Sequence, residues 1–437
     1  MKKAVIYISS FMLFASCSKD DNSTETLNTP PEAFDLVGIT NKATDVGTSP
    51  MLTWQAATDI DGDELVYDIY LEDHSPNTFT AIGGENDPPP EPTKIIAQGI
   101  SDTSYNVARL DLSARITWKV VARDNKGGVT ESDTFEFRTR EINMRENPIV
   151  DSAPFNSRYG HSTIFFQDKF WLIGGFAQGE SHTNDIWSST NGEEWVLETD
   201  TAPFEPRTQH NVVIFKERLW LLGGIIEGGH IADIWSSADA INWEKETDNP
   251  AYGNVSVPKV AAFKNKLYVF GGNETSSTVG ETPDDIWSSE DGVNWELETD
   301  SAPYGLKAGF KVVVFNNKMF VLGGQSVDSF TYSSAIWYTT DGQNWTEDIG
   351  INNFSRRASF NVTTFDNKLW ITGGFNEDGI LNDLWFTRDG FNWRRQTTNA
   401  NYQPRFRSSF CSNGKELYLI GGASFEDGFF NDIWMFD

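Results

Sequence analysis

Four arginines recur at one slot of this chain: Arg158, Arg207, Arg357 and Arg405. Lys307 and Val255 stand at the corresponding place in two further copies. Three residues beyond the slot come His161, His210, Pro258, Phe310, Phe360 and Ser408. A guanidinium suits carboxylate, sulfate or phosphate recognition, because its planar fork meets two oxygens at once. Such a collar stands out in a protein of 437 residues whose formal charge is −29. Two readings of it are open. The arginines contact an anionic ligand, with His161 and His210 beside them. Alternatively each pairs with a nearby carboxylate, such as Asp200 or Asp185, and ties the copies together. An aspartate also recurs two residues before a tryptophan (Asp185, Asp233, Asp285, Asp383, Asp432) and reads as a loop anchor.

Other reactive side chains are sparse. There are five histidines and two cysteines. No hydrolase triad, phosphate loop or zinc motif is present. His161 and His210 could share a metal only with a third ligand, which the sequence does not supply. Asp59-Ile60-Asp61-Gly62-Asp63 has the look of a calcium loop. It lacks the bidentate Glu and remaining ligands of the helical calcium loop, and a plain Asp-Gly turn accounts for it. No cofactor is expected. The acidic balance disfavours nucleic acid and acidic lipid as non-specific partners.

The collar belongs to a unit of about fifty residues that repeats six times. Each copy carries a Gly-Gly pair (174–175, 223–224, 271–272, 323–324, 373–374, 421–422) and then a tryptophan (187, 235, 287, 337, 385, 434). In five copies a second tryptophan follows eight residues later (195, 243, 295, 345, 393). Four short apolar runs per copy read as strands a to d. Between c and d, turns such as Thr190-Asn191-Gly192 and Glu290-Asp291-Gly292 suit a three-residue hairpin with Gly in the left-handed position. That register sets Trp187 directly opposite Trp195. Ala240 replaces the Gly in copy two and predicts a strained hairpin. An aromatic three residues before each Gly-Gly (Trp171, Trp220, Tyr268, Phe320, Trp370, Tyr418) is expected to fill the space between copies. These tryptophans and glycines are read as structural.

A Gly-Gly pair followed by a spaced aromatic pair resembles the kelch repeat, one blade of a β-propeller. The resemblance covers roughly residues 144–437 and implies a six-bladed kelch β-propeller. Copy six has no strand d after Phe436-Asp437. ENPIVDSAPF (146–155) aligns with WVLETDTAPF (195–204), so that segment is expected to latch the ring, with Glu146 in the tryptophan's place. Strand parity puts a–b and c–d turns on one regular face. The b–c loops, variable and aromatic, lie on the other with the collar, and recognition commonly lives on such loops.

Upstream, Lys2-Lys3, an apolar run from Ala4 to Phe14, and Ala15-Ser16 before Cys17 form a secretion signal, too short for a membrane span. It resembles a bacterial lipoprotein box, which implies cleavage before Cys17 and lipid attachment there. Ser18-Lys19-Asp20-Asp21 resembles the acidic tag that sends some lipoproteins to the outer face of the outer membrane. Only Cys411 then remains, so no intrachain disulfide is expected. The divisions are a signal peptide (1–16), a flexible tether (17–30), a β-sandwich (31–140) and the propeller (141–437). Leu112, with Trp118 six residues on, then Val120 and Ala122, resembles fibronectin type III, and Trp54 is the other expected core ring. The whole is all-β. The function expected is a cell-surface binding module taking an extracellular glycan or protein, anionic if the collar serves it. The enzyme alternative resembles kelch sialic-acid mutarotases, and less closely galactose oxidase, whose copper site needs His, Tyr and a Tyr-Cys pair.

Overall fold

The computed structural model describes residues 27–75, 91–179, 181–253, 257–271, 284–350 and 354–437. The signal segment with Cys17, most of the Pro-rich insertion, Val255 and the b–c loop of copy three lie outside the described residues.

The first domain begins as alternating strands with one apolar face. Leu36–Val37, Met51–Trp54 and Ser104–Asn106 make one sheet; Leu65–Asp73, Ile95–Ile100, Arg115–Asp124 and Phe135–Thr139 make the core of the other. Leu52, Trp54, Ile69, Trp118, Val120 and Phe137 close between the two sheets, each nearly or wholly buried. Both expected core rings are therefore in place. Leu112 is not. It is buried against the propeller, with Trp370, Phe410 and Phe436. Its amide donates to Asp366 Oδ2 at 2.6 Å.

The second domain is a ring of blades. Blade one is Ser162–Phe166, Lys169–Ala177, His182–Ser189 and Val196–Thr199, joined a to b to c to d in antiparallel order. The same order recurs from Asn211–Phe215, Lys259–Phe263, Lys311–Phe315, Asn361–Phe365 and Ser409–Ser412 as strands a. Each strand a neighbours that of the next blade, and the sixth neighbours the first. The ring closes around an axis.

Main-chain pairing supplies the latch. Asn143 N donates to Asp437 O and Asp437 N to Asn143 O; Ile149 N donates to Ile433 O and Ile433 N to Val150 O. Residues 143–153 thus act as the sixth strand d, though they precede blade one. Glu146 does not take the tryptophan's place. It is exposed. Phe436 does, two residues after Trp434, and both rings meet Tyr402 edge-on at 6.0 Å. A charged side chain goes to solvent, and the nearest aromatic fills the void.

The pairing of c with d also differs from expectation. Trp187 lies opposite Leu197, and Ser237 lies opposite Trp243, so the connection runs 238–242 rather than three residues. Side-chain acceptors widen it: Asn191 Oδ1 takes the amides of Glu193 and Glu194, and Ser189 Oγ that of Gly192. Such local bonds compete with the ladder and win here. The two tryptophans still share a face, because they meet a common wedge. Phe155 touches Trp187 and Trp195 edge-on at 5.9 and 5.5 Å, and Phe204 does the same to Trp235 and Trp243.

The turn glycine has two reasons to be glycine. Gly292 sits at φ 83°, and a Cβ there would lie 2.3 Å from the Trp220 ring of the preceding blade. Gly192 meets Tyr418 and Gly342 meets Tyr268 in the same way. The strand-b aromatics do fill the space between blades. Ala240 holds φ 66°, the strained hairpin its sequence predicts.

The sandwich docks on the regular face. Asn367 donates to Asp111 at 2.8 Å, Arg388 to Asp111 at 3.1 Å and to Leu112 O at 2.9 Å. These are a–b and c–d turns of blade five. The variable-loop face is left at the opposite end of the ring.

Candidate functional site

The collar faces inward, and this corrects its reading as a ligand surface. Arg158, Arg207, Arg357 and Arg405 are 0–1 % exposed. Each forks onto the aspartate of its own blade. Arg158 meets Asp185 at 2.7 and 2.8 Å, and Arg405 meets Asp432 at 2.6 and 2.8 Å. Arg207 holds Asp233 and Arg357 holds Asp383 by the same two bonds. Nη1 also donates to the first Gly-Gly carbonyl, at 2.9 Å for Gly174 and 3.0 Å for Gly223. The aspartate's second duty is to accept Nε1 of the following tryptophan, 2.7 Å away in Trp187, Trp235, Trp385 and Trp434. The backbone continues the brace across blades, since Gly175 N donates to Arg207 O and Gly374 N to Arg405 O. A Cβ on Gly373 would lie 2.6 Å from Arg405 O, so only glycine admits this approach. Buried charge of this kind persists only when paired and hydrogen-bonded.

Two blades depart from the brace. Blade four has Lys307 and, in place of the aspartate, Ala335. Burial depresses the Lys307 ammonium's pKa. Blade three keeps Asp285 without an arginine, and its buried Oδ1 has no hydrogen-bond partner. Burial pushes that carboxyl up, Trp287 opposes the shift, and Asp284 and Asp300 add to it.

Two residues past each arginine slot lies a feature that composition does not announce. Gly160, Gln209, Val257, Gly309, Ser359 and Arg407 all have φ between 50° and 63°. The left-handed turn aims each amide at one neighbouring blade and each carbonyl at the other. Gly160 N donates to Arg407 O, Gln209 N to Gly160 O, Ser359 N to Gly309 O and Arg407 N to Ser359 O. The six left-handed residues ring the axis, and main-chain bonds link five of them head to tail, from Gly309 through Ser359, Arg407 and Gly160 to Gln209. Just inside this ring, the first residue of every strand a is polar: Ser162, Asn211, Lys259, Lys311, Asn361 and Ser409. Ser162 Oγ donates to His210 O and Ser409 Oγ to His161 O, again from blade to blade.

These two rings enclose a cavity of about 260 Å³ in the mouth of the central channel. Lys259, Lys311 and Arg407 line it, with Gln209, Asn211 and Asn361, and no described lining residue is acidic. A larger cleft of about 570 Å³ between the domains mixes Arg138, Arg140, Arg394 and Arg395 with Asp45 and Glu141, so carboxylates offset only part of its positive charge. The channel mouth differs in gathering its cations with no acidic residue among the described lining residues.

His161 and His210 also line the channel wall, each more than nine-tenths buried, with no partner on either ring nitrogen. Burial first, then Arg158, holds His161 down to about 3; burial and Arg207 do the same for His210. Both are neutral imidazoles. Among the described residues no third ligand group joins them. Cys411 is buried opposite Tyr418 within blade six, its thiol pushed up to about 12 by burial. The cluster that does gather is Asp59, Asp63 and Asp124 in the first domain, whose ligand atoms lie within 4.8 Å of one another. Around it the loop forms as a turn, with the amides of Asp61 and Asp63 on Asp59 Oδ1, and Lys126 pairs with Asp63 at 2.6 Å.

Aromatic rings flank the mouth on the variable-loop face. Tyr159 stacks on Phe176 at 5.5 Å and meets Phe429 at 4.9 Å; Phe406 meets Phe375 at 5.4 Å and Phe425 at 4.8 Å. Phe425 is 74 % exposed. The Arg407 guanidinium lies between the two clusters, 5.7 Å from the Tyr159 ring and 5.9 Å from that of Phe406. Cations beside stacked rings can hold an anionic group while the rings cover an apolar face. Of the channel residues, the sequence had signalled only His161 and His210. The signal for Asn211, Lys259, Lys311 and Asn361 was a polar residue opening each strand a.

Residues 258–437, blades three to six, match the model of the KLHDC2/KLHL20/DRC7 Kelch-repeats domain family. Among solved structures, one titled "Structure of YjhT" superposes with a TM-score of 0.53 at 15% identity, covering 66% of this chain and 96% of that one. No curated protein sequence matches the chain. The domain that encloses the channel has the kelch-type β-propeller fold.

Proposed function

We propose that the protein is a surface lipoprotein whose channel mouth binds an acidic glycan outside the cell. The observation that carries this is the cavity's charge: Lys259, Lys311 and Arg407 with no described carboxylate among its lining residues, in a chain of net charge −29. The flanking aromatic clusters favour a sugar ring over an acidic peptide. Docking of the sandwich on the regular face leaves the mouth pointing away from the tethered end. General acid–base catalysis works best with a group whose pKa lies near the operating pH. The two channel imidazoles are held far below that range, so binding is the better-supported reading.

Calorimetric titration tests it with a galacturonate trisaccharide, the neutral galactose trisaccharide and triglutamate. The acidic sugar should bind and weaken by about tenfold or more between low and high salt, as charge-assisted contacts at a solvent-exposed mouth are screened. The neutral sugar should not bind. Binding of triglutamate alone would make the ligand a protein and overturn the glycan reading. The anchor has its own check: Cys17→Ala should move the protein out of the outer-membrane fraction. A variant that fractionates like its parent would place the anchor elsewhere.

A further inference from the structure

We infer that Arg407 is the specificity-determining cation of the channel mouth, held there against its own backbone preference. The inference rests on the anion-binding reading of the channel and adds which residue decides it.

Six residues form the left-handed ring, and glycine occupies only two of the places, Gly160 and Gly309. Glycine adopts positive φ without penalty, whereas other residues are strained there, β-branched and bulky ones most. The ring's hydrogen bonds use main-chain atoms alone, so glycine would make every one of them. A long side chain at this slot therefore carries backbone strain and adds nothing to the main-chain bonds themselves. Strain kept where a cheaper residue would serve points toward function.

The side chains at the strained places differ in what they reach. Gln209, Val257 and Arg407 line the cavity, while Ser359 does not. Of the three, only Arg407 carries charge. Its guanidinium also stands between the aromatic clusters of blades one and six, whereas Lys259 and Lys311 lie one ring deeper, at the start of strand a. An entering anion meets Arg407 first. Its planar fork is the one group at the mouth able to take two carboxylate oxygens together.

Fold and affinity should then separate. Arg407→Gly relieves the strain but gives up the contacts with Tyr159 and Phe406, so its melting temperature should stay within about 3 °C of the parent while galacturonate trisaccharide weakens by about tenfold or more. Ser359→Gly relieves the same strain away from the cavity; it should raise the melting temperature and leave affinity unchanged. Arg407→Lys keeps the charge without the fork, and its affinity should fall between the parent and the glycine variant. If the parent binds none of the acidic sugars, the anion-binding reading itself fails. If the parent binds and Arg407→Gly binds equally well, the reading stands and Arg407 is not its determinant. A melting temperature lower by more than about 5 °C for Arg407→Gly would show that the arginine braces the ring, and would overturn the inference whatever the affinities.

Discussion

Arg207→Leu should destabilise the propeller by about 3–5 kcal/mol, because it leaves Asp233 buried without its counter-charge. Asp233 is 2 % exposed and would keep only Trp235 Nε1 among its present side-chain donors. Asp233→Leu should cost a similar amount, since Arg207 would lose both oxygens of its fork. The double variant should be less damaged than the sum of the two, and less than either alone if the leucines pack. Chemical denaturation of the four proteins, read as a double-mutant cycle, measures this coupling. Additive effects would mean that the brace is not a unit. Blade four is a natural precedent, where the lysine substitution and the loss of the aspartate occur together in Lys307 and Ala335.

The same braces give the stability a pH signature. Burial alone would raise the Asp185 carboxyl, but the hydrogen bonds and charge of Arg158 outweigh it and hold it below the usual range. An acid with a depressed folded pKa stabilises fully above its unfolded value, about 3.9, and the contribution is lost as pH falls through the folded value. Asp285 has the opposite sign. Its carboxyl is raised, so the folded state binds the proton more tightly and stability falls as pH rises from the unfolded value through the higher folded one.

Deleting residues 141–152 should lower the melting temperature by more than about 10 °C and broaden the transition. The segment contributes the outer strand of blade six through five main-chain bonds to Asp437 and Ile433. It also buries Ile142 among Trp434 and Phe436. Without it, strand c of blade six becomes an open edge next to an apolar cluster, and the ring has nothing to hold its two ends together. An unchanged melting curve would show that the ring closes without the latch.

The period, the strands, the six blades and even the latch are legible in the linear sequence. Each depends on chemistry local to one repeat: glycine where φ is positive, aromatic residues at fixed spacing, polar turns between short apolar runs. Repetition six times over turns weak local signals into a register that a single copy could not supply. What lies between blades is a different matter. Arginine and aspartate within one copy are about 26 residues apart, and either solvent or each other could have satisfied them; only the packed ring excludes water and settles the choice. The left-handed ring is invisible in the chain because Gln209, Val257, Ser359 and Arg407 are not residues that favour it. In Gln209, Ser359 and Arg407 the conformation is held by main-chain hydrogen bonds to the neighbouring blade. Leu112 reads as a sandwich residue and is buried against the propeller. Glu146 aligns with a tryptophan and stays in solvent while Phe436 takes the space. The contact that closes the circle, Ser409 with the carbonyl of His161, joins positions 248 residues apart. The sequence by itself thus determined the blades, and the tertiary structure decided where the charges go, because desolvation and closure exist only once the ring is complete.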